Sequence, residues 1–75
     1  MSIGENIKKL REEKELTQEQ LARQIGVSQA MLAQIERGTK SCAMQLGKLI
    51  AQELECSVLA LYGEEESNVK TNVNS

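Results

Sequence analysis

The sequence predicts an all-α fold, five short helices in one small domain. Three observations carry that expectation. First, 75 residues with 40% hydrophobic and 27% charged side chains make a globular composition, long enough for one domain only. Second, proline is absent, β-branched runs are few, and Leu, Glu, Gln, Lys and Ala are abundant, all of them good helix formers. Third, apolar residues recur at spacings of three and four rather than two. With no Trp, Phe or His and a single Tyr, the core has to be aliphatic. A chain this short buries only ~60% of its unfolded surface, so dimerisation would add needed stability.

The first helix is expected within SIGENIKKLREEKEL, residues 2 to 16, where Ile3, Ile7 and Leu10 share a face that Lys14 extends. Ser2 caps it, and Leu16 turns inward just after its end. Thr17 followed by Gln20 forms a capping box that opens the second helix, QEQLARQI, with Leu21, Ala22 and Ile25 inward. Gly26 stops it by taking a left-handed conformation, and Val27 packs inward. Ser28 caps the third helix, which runs to Arg37 and is closed by Gly38. After the connector TKSCA, a fourth helix runs from about Met44 to Glu55, with Leu46, Leu49 or Ile50, Ala51 and Leu54 buried. Gly47 costs that helix ~1 kcal/mol relative to Ala, a sign of close packing. Ser57 caps a last short helix, VLALY, that ends at Gly63. The domain is therefore expected over residues 1–63, with 64–75 as an acidic and polar disordered tail. No internal repeat is visible.

Formal net charge is −2, which at first argues against a polyanionic partner. The acidity belongs to the tail, however. Glu64, Glu65 and Glu66 take three of the eleven carboxylates and Lys70 one of the nine cations, so the rest is neutral. A neutral domain still binds nucleic acid when its cations lie on one side.

The decisive stretch is GVSQAMLAQIERG, residues 26 to 38. At about 100° per residue, Met31, Leu32 and Ile35 fall on one side of the third helix. Gln29, Ala30, Ala33, Gln34 and Arg37 fall on the other. Small residues let a backbone approach the floor of the DNA major groove. A Gln amide bonds bidentately to adenine, and an Ala methyl meets the thymine methyl. A merely solvated face would carry more charge, and incidental composition is the plainer alternative. Ala22 is small where two helices must cross, and Gly26 makes the turn between them. This is a helix-turn-helix pattern.

The stretch TQEQLARQIGVSQAMLAQIERG resembles the Cro and phage-repressor type of helix-turn-helix protein, the XRE family, and the resemblance extends from about Ile3 to Tyr62. It implies a lambda-repressor-like five-helix domain that binds double-stranded operator DNA as a dimer. By position, Gln29, Ala30, Ala33 and Gln34 are implied to read bases. Gln18 is implied to contact a phosphate and brace the first glutamine of the third helix. Arg37, Thr39 and Lys40 match the loop that touches the DNA backbone. Ser28 and Arg23 join that expected backbone set, Arg23 and Lys40 as the favoured phosphate partners. The resemblance also pairs Arg11 with Glu36, reasonable because a half-buried guanidinium needs a carboxylate. Departures from the family pattern are Glu15 where Gly is frequent, Ser41-Cys42-Ala43 where Asn-Pro-Ser is frequent, and Gly47 in place of a common Leu.

The last helix carries Val58, Leu59, Leu61 and Tyr62, more apolar bulk than one short helix buries alone. A homodimer interface is expected there, with completion of the monomer core as the competing use. The favoured function is a sequence-specific transcriptional regulator, a dimeric repressor reading a pseudo-palindromic operator. The rival is a protein-binding module such as an antitoxin. An enzyme is not expected, because without His or Asp no acid–base or nucleophilic site assembles. No cofactor is expected. No metal site is expected either, since Cys42 and Cys56 form no CxxC pair and there is no His. They are expected as buried or half-buried thiols, with a disulfide or redox pair as the alternative. No apolar run approaches the ~20 residues that span a bilayer, and no signal-peptide core opens the chain, so the expected location is the cytoplasm.

Overall fold

In the computed structural model, which describes residues 2–63, the chain forms α1 (Ile3–Glu13), α2 (Gln18–Ile25), α3 (Gln29–Arg37), α4 (Met44–Glu53) and α5 (Val58–Leu61). No strand occurs among the described residues. The expected tail, residues 64–75, lies outside them. Side chains set where the helices begin. The Ser2 hydroxyl accepts from the Glu5 amide while the Glu5 carboxylate accepts from the Ser2 amide, and Thr17 and Gln20 repeat this at α2. Ser28 and Ser57 accept from the Met31 and Ala60 amides at α3 and α5. At α4 the cap is Ala43, which has no side-chain hydrogen bond, so this helix lacks a contribution of ~1 kcal/mol.

Four helix ends share one geometry. Glu15, Gly26, Gly38 and Glu55 take left-handed conformations, with φ of 59°, 81°, 86° and 58°. The next residue then donates its amide to the carbonyl five residues back. Leu16 reaches Arg11, Val27 reaches Ala22 and Thr39 reaches Gln34, each at 3.0 Å, and Cys56 reaches Ala51 at 2.9 Å. Each bond closes the last turn of its helix, adding to the capping amide that already reaches the Arg11, Ala22 and Gln34 carbonyls. Leu16, Val27 and Cys56 also pack against the core, whereas Thr39 is exposed. A recurring joint is thus present: left-handed residue, inward apolar residue, hydroxyl cap, as in Glu15-Leu16-Thr17, Gly26-Val27-Ser28 and Glu55-Cys56-Ser57. The repeat escapes a sequence reading because two of its left-handed positions are glutamates. Glu55 also ends α4 at Glu53, earlier than expected.

The core is aliphatic. Ile7, Leu21, Leu32, Ile35, Ile50 and Leu61 are essentially inaccessible, joined by Ala22, Ile25, Ala51 and Leu54. Each large side chain so buried contributes roughly 1.5–3 kcal/mol of transfer free energy. The choice between Leu49 and Ile50 falls to Ile50, while Leu49 is 45% exposed. Leu61 is a correction. Expected at a dimer interface, it has no exposed surface, because α5 folds back on α1 and α4 and Leu61 completes the monomer core. The Asn6 amide fastens that contact, donating to the Leu61 carbonyl at 3.0 Å. Gly47 lies under the Tyr62 ring, where a Cβ would come 2.9 Å from the phenol oxygen. Lys14, in register with Ile7 and Leu10, is nonetheless exposed and ion-paired with Glu55 across the α4–α5 joint.

Candidate nucleic-acid interface

Helix α3 packs against α1 and α2 through Leu32 and Ile35, both buried, with Met31 half-buried beside them. Its opposite side is open. Gln29, Ala30, Gln34 and Arg37 are exposed, and Ala33 is half-buried at the edge of that face. Thr39 and Lys40 continue the exposed surface beyond the helix end. Gln29, Ala30, Ala33, Gln34 and Arg37 therefore stand on a single side of a helix whose other side is fixed in the core.

A polar network also ties it to α1 and α2. The Arg11 Nε donates to Glu36 Oε2 at 2.8 Å, and Nη2 donates to Oε1 at 3.1 Å, a parallel two-bond fork. The third guanidinium donor, Nη1, goes to the Leu16 carbonyl at 2.7 Å. Gln18 Nε2 then donates to the same Glu36 Oε1 at 2.9 Å. The Arg11 and Glu36 side chains are only 9% and 3% exposed. Among the described residues no buried side-chain polar atom lacks a partner, the condition under which a buried pair is tolerable. One network thus joins α1, the α1–α2 joint, the start of α2 and the last turn of α3. Gln18 is the residue that differs most from expectation, because its amide binds Glu36 and leaves one N–H for any other acceptor.

The other expected backbone contacts differ in what they can still donate. The Ser28 hydroxyl accepts from Met31 as a cap and keeps its own proton. Thr39 Oγ1 donates to the Gln34 carbonyl at 3.2 Å. Arg23 is 76% exposed and bonds Glu19 one turn away at 3.3 Å, an exposed pair worth at most ~1 kcal/mol and easily exchanged. Arg37 and Lys40 are exposed. On α5, Leu59 is 43% exposed, while Val58 and Tyr62 are half-buried.

Two groups near α4 stay neutral at physiological pH. Burial pushes the Cys42 thiol up, and burial followed by the neighbouring Cys42 pushes the Tyr62 phenol up. Both cysteines are half-buried thiols. Among the described residues no cluster of His, Cys, Asp or Glu could hold a metal ion, and no helix is long and apolar enough to cross a membrane.

Sequence reading missed one residue that positions the site. A Cβ on Gly4 would lie 2.4 Å from the Ile35 carbonyl oxygen and 2.5 Å from that of Glu36, so α1 approaches the backbone of α3 directly. Nothing local distinguishes a glycine in the first turn of a helix from an indifferent one.

The helix-turn-helix family matches residues 7–61. The chain belongs to that family. Among helix-turn-helix relatives, the antitoxin PezA of Streptococcus pneumoniae is 39% identical over 64 residues, 85% of this chain and 40% of PezA. The immunity repressor of Bacillus phage phi105 is 38% identical over 65 residues, 87% of this chain and 45% of the repressor. The chain therefore spans less than half the length of these two curated relatives. Among solved structures, SinR, a master regulator for biofilm formation crystallised in complex with DNA, superposes with a TM-score of 0.74 at 33% identity. That match covers 79% of this chain and 95% of the SinR chain. The five helices and these neighbours establish the lambda-repressor-like fold that the resemblance implied.

Proposed function

We propose that this chain is a sequence-specific DNA-binding transcriptional regulator, a dimeric repressor that lays α3 in the major groove of a pseudo-palindromic operator. The observation that carries the reading is the open face of α3, small and amide side chains held outward by the Arg11–Glu36 network. In this reading Gln29, Ala30, Ala33 and Gln34 meet base edges, and Gln18, Arg23, Ser28, Arg37 and Lys40 meet phosphates. Similarity to a phage immunity repressor and to a regulator solved with DNA supports it. Leu59, with Val58 and Tyr62, is the surface proposed to join two copies, which would set recognition helices ~34 Å apart. The protein acts in the cytoplasm and needs no cofactor.

Selection of bound duplexes from a random pool by the full chain tests the reading. Two inverted half-sites one helical turn apart are expected to be enriched. Enrichment of nothing, with binding that merely follows salt, would sink it. Similarity to PezA favours a second reading, in which the domain belongs to an antitoxin and a partner protein is its main ligand. The two separate on whether the chain alone retains a specific duplex at near-physiological salt.

A further inference from the structure

We infer that Thr39 is a positioning residue for Gln34, holding the reading end of α3 through its hydroxyl instead of contacting a DNA phosphate. The inference rests on the reading of α3 as the recognition helix. Gln34 lies in the last turn of α3, where its carbonyl already accepts from the amide of the capping Gly38, which it shares with the Ile35 carbonyl. Its carbonyl oxygen receives the Thr39 amide at 3.0 Å and the Thr39 hydroxyl at 3.2 Å. A carbonyl oxygen only accepts, so the hydroxyl is necessarily the donor, and a hydroxyl has one proton. What remains for DNA is a pair of acceptor sites, which a phosphate oxygen cannot use.

The other helix ends explain why the hydroxyl is there. At three of the four equivalent joints the residue in this place is Leu16, Val27 or Cys56, and packing against the core holds it. Thr39 sits on the exposed side and has no core to pack on. Its hydroxyl adds a third donor to the carbonyl that the Gly38 and Thr39 amides already hold, so a polar contact replaces the apolar one. The carbonyl so gripped belongs to Gln34, whose amide must be placed within tenths of an ångström for bidentate base contact. Two residues further on, Glu36 is held by Arg11 and Gln18. The reading end is therefore fixed from both sides of its peptide chain.

The test compares the full chain with Thr39→Val, Thr39→Ser and Gln34→Ala on duplexes enriched by the unmodified chain. Valine keeps the shape and the backbone amide bond and removes the hydroxyl; serine keeps the hydroxyl. At the base pair whose preference Gln34→Ala abolishes, Thr39→Val is expected to reduce discrimination about threefold, the scale of one exposed hydrogen bond. Thr39→Ser is expected to retain it, and the three threonine-position proteins should melt within a few degrees of one another. Equal weakening by Thr39→Val on matched and mismatched duplexes would indicate a phosphate contact and overturn the inference. Unchanged discrimination would overturn it too. If the unmodified chain enriches no sequence, the recognition reading itself has failed and the inference falls with it.

Discussion

The backbone of Gly4 rests on the carbonyl of Ile35, closely enough that a methyl group added to Gly4 would sit 2.4 Å from that oxygen. Helix α1 thus supports the last turn of α3 without any side chain between them. Backbone cannot swing aside as a side-chain tip can. Gly4→Ala is therefore expected to cost ~1–3 kcal/mol and to displace α3. For a domain this small, that lowers the melting temperature by about 4–8 °C per kcal/mol. An unchanged melting curve would mean the close approach is not required.

Glu36→Ala leaves the Arg11 guanidinium buried opposite a void, with Gln18 also deprived of its acceptor. The expected loss is ~3–5 kcal/mol, a large share of what a domain of this size has. Replacing Arg11 and Glu36 together with Met and Leu is expected to cost much less, since no charge is then stranded. Urea midpoints of the single and double variants decide this, and equal midpoints would show the pair to be idle.

Glu15 and Glu55 hold conformations that suit glycine. Glu15→Gly is expected to stabilise the chain by up to ~1 kcal/mol. Glu55→Gly should gain less, because Glu55 is bonded to Lys14 and that contact is lost with it. A thermal shift of the same size in both would argue that the ion pair contributes nothing.

The Lys14 ammonium, by hydrogen bond and then by charge, holds the Glu55 carboxyl below the usual carboxylate range. Its folded pKa is depressed, so its stabilisation is present above the unfolded value and is lost as pH falls through the folded one. The wild-type chain is expected to melt slightly higher than Glu55→Gln at pH 7 and at the same temperature once pH falls below that depressed value. A gap that persists in acid would assign the effect to something other than ionisation.

Gln29→Ala and Gln34→Ala should each cost ~1–3 kcal/mol on the preferred duplex and relax preference at one base pair. Competition with singly mismatched duplexes measures this. A loss that is the same on every duplex would contradict base reading by those amides.

Elements and caps were legible because each is written locally. Thr17 with Gln20 announces the start of α2, and Gly26 and Gly38 bracket α3. The inward and outward sides of α3 follow from the period alone. Features made by distant residues were not legible. Gly4 means nothing until Ile35 is placed against it, and Leu61 looks like surplus apolar bulk until α1 supplies the Asn6 amide. Gln18 was expected to face DNA and brace Gln29, yet a buried carboxylate is a strong acceptor for its amide. Position suggested a phosphate contact for Thr39, but only the carbonyl geometry reveals where its proton goes.

Because Ala43 has no side-chain acceptor, the opening turn of α4 goes without the capping bond that the other four helices receive. The stretch from residue 38 to 43 that leads into that turn is also the longest link between successive helices. Local melting should therefore begin at this seam, ahead of the hydroxyl-capped starts. Among the described residues, solvent deuterium and proteases would find the chain there first, and an extra residue inserted there would be tolerated while the reading helix kept its footing.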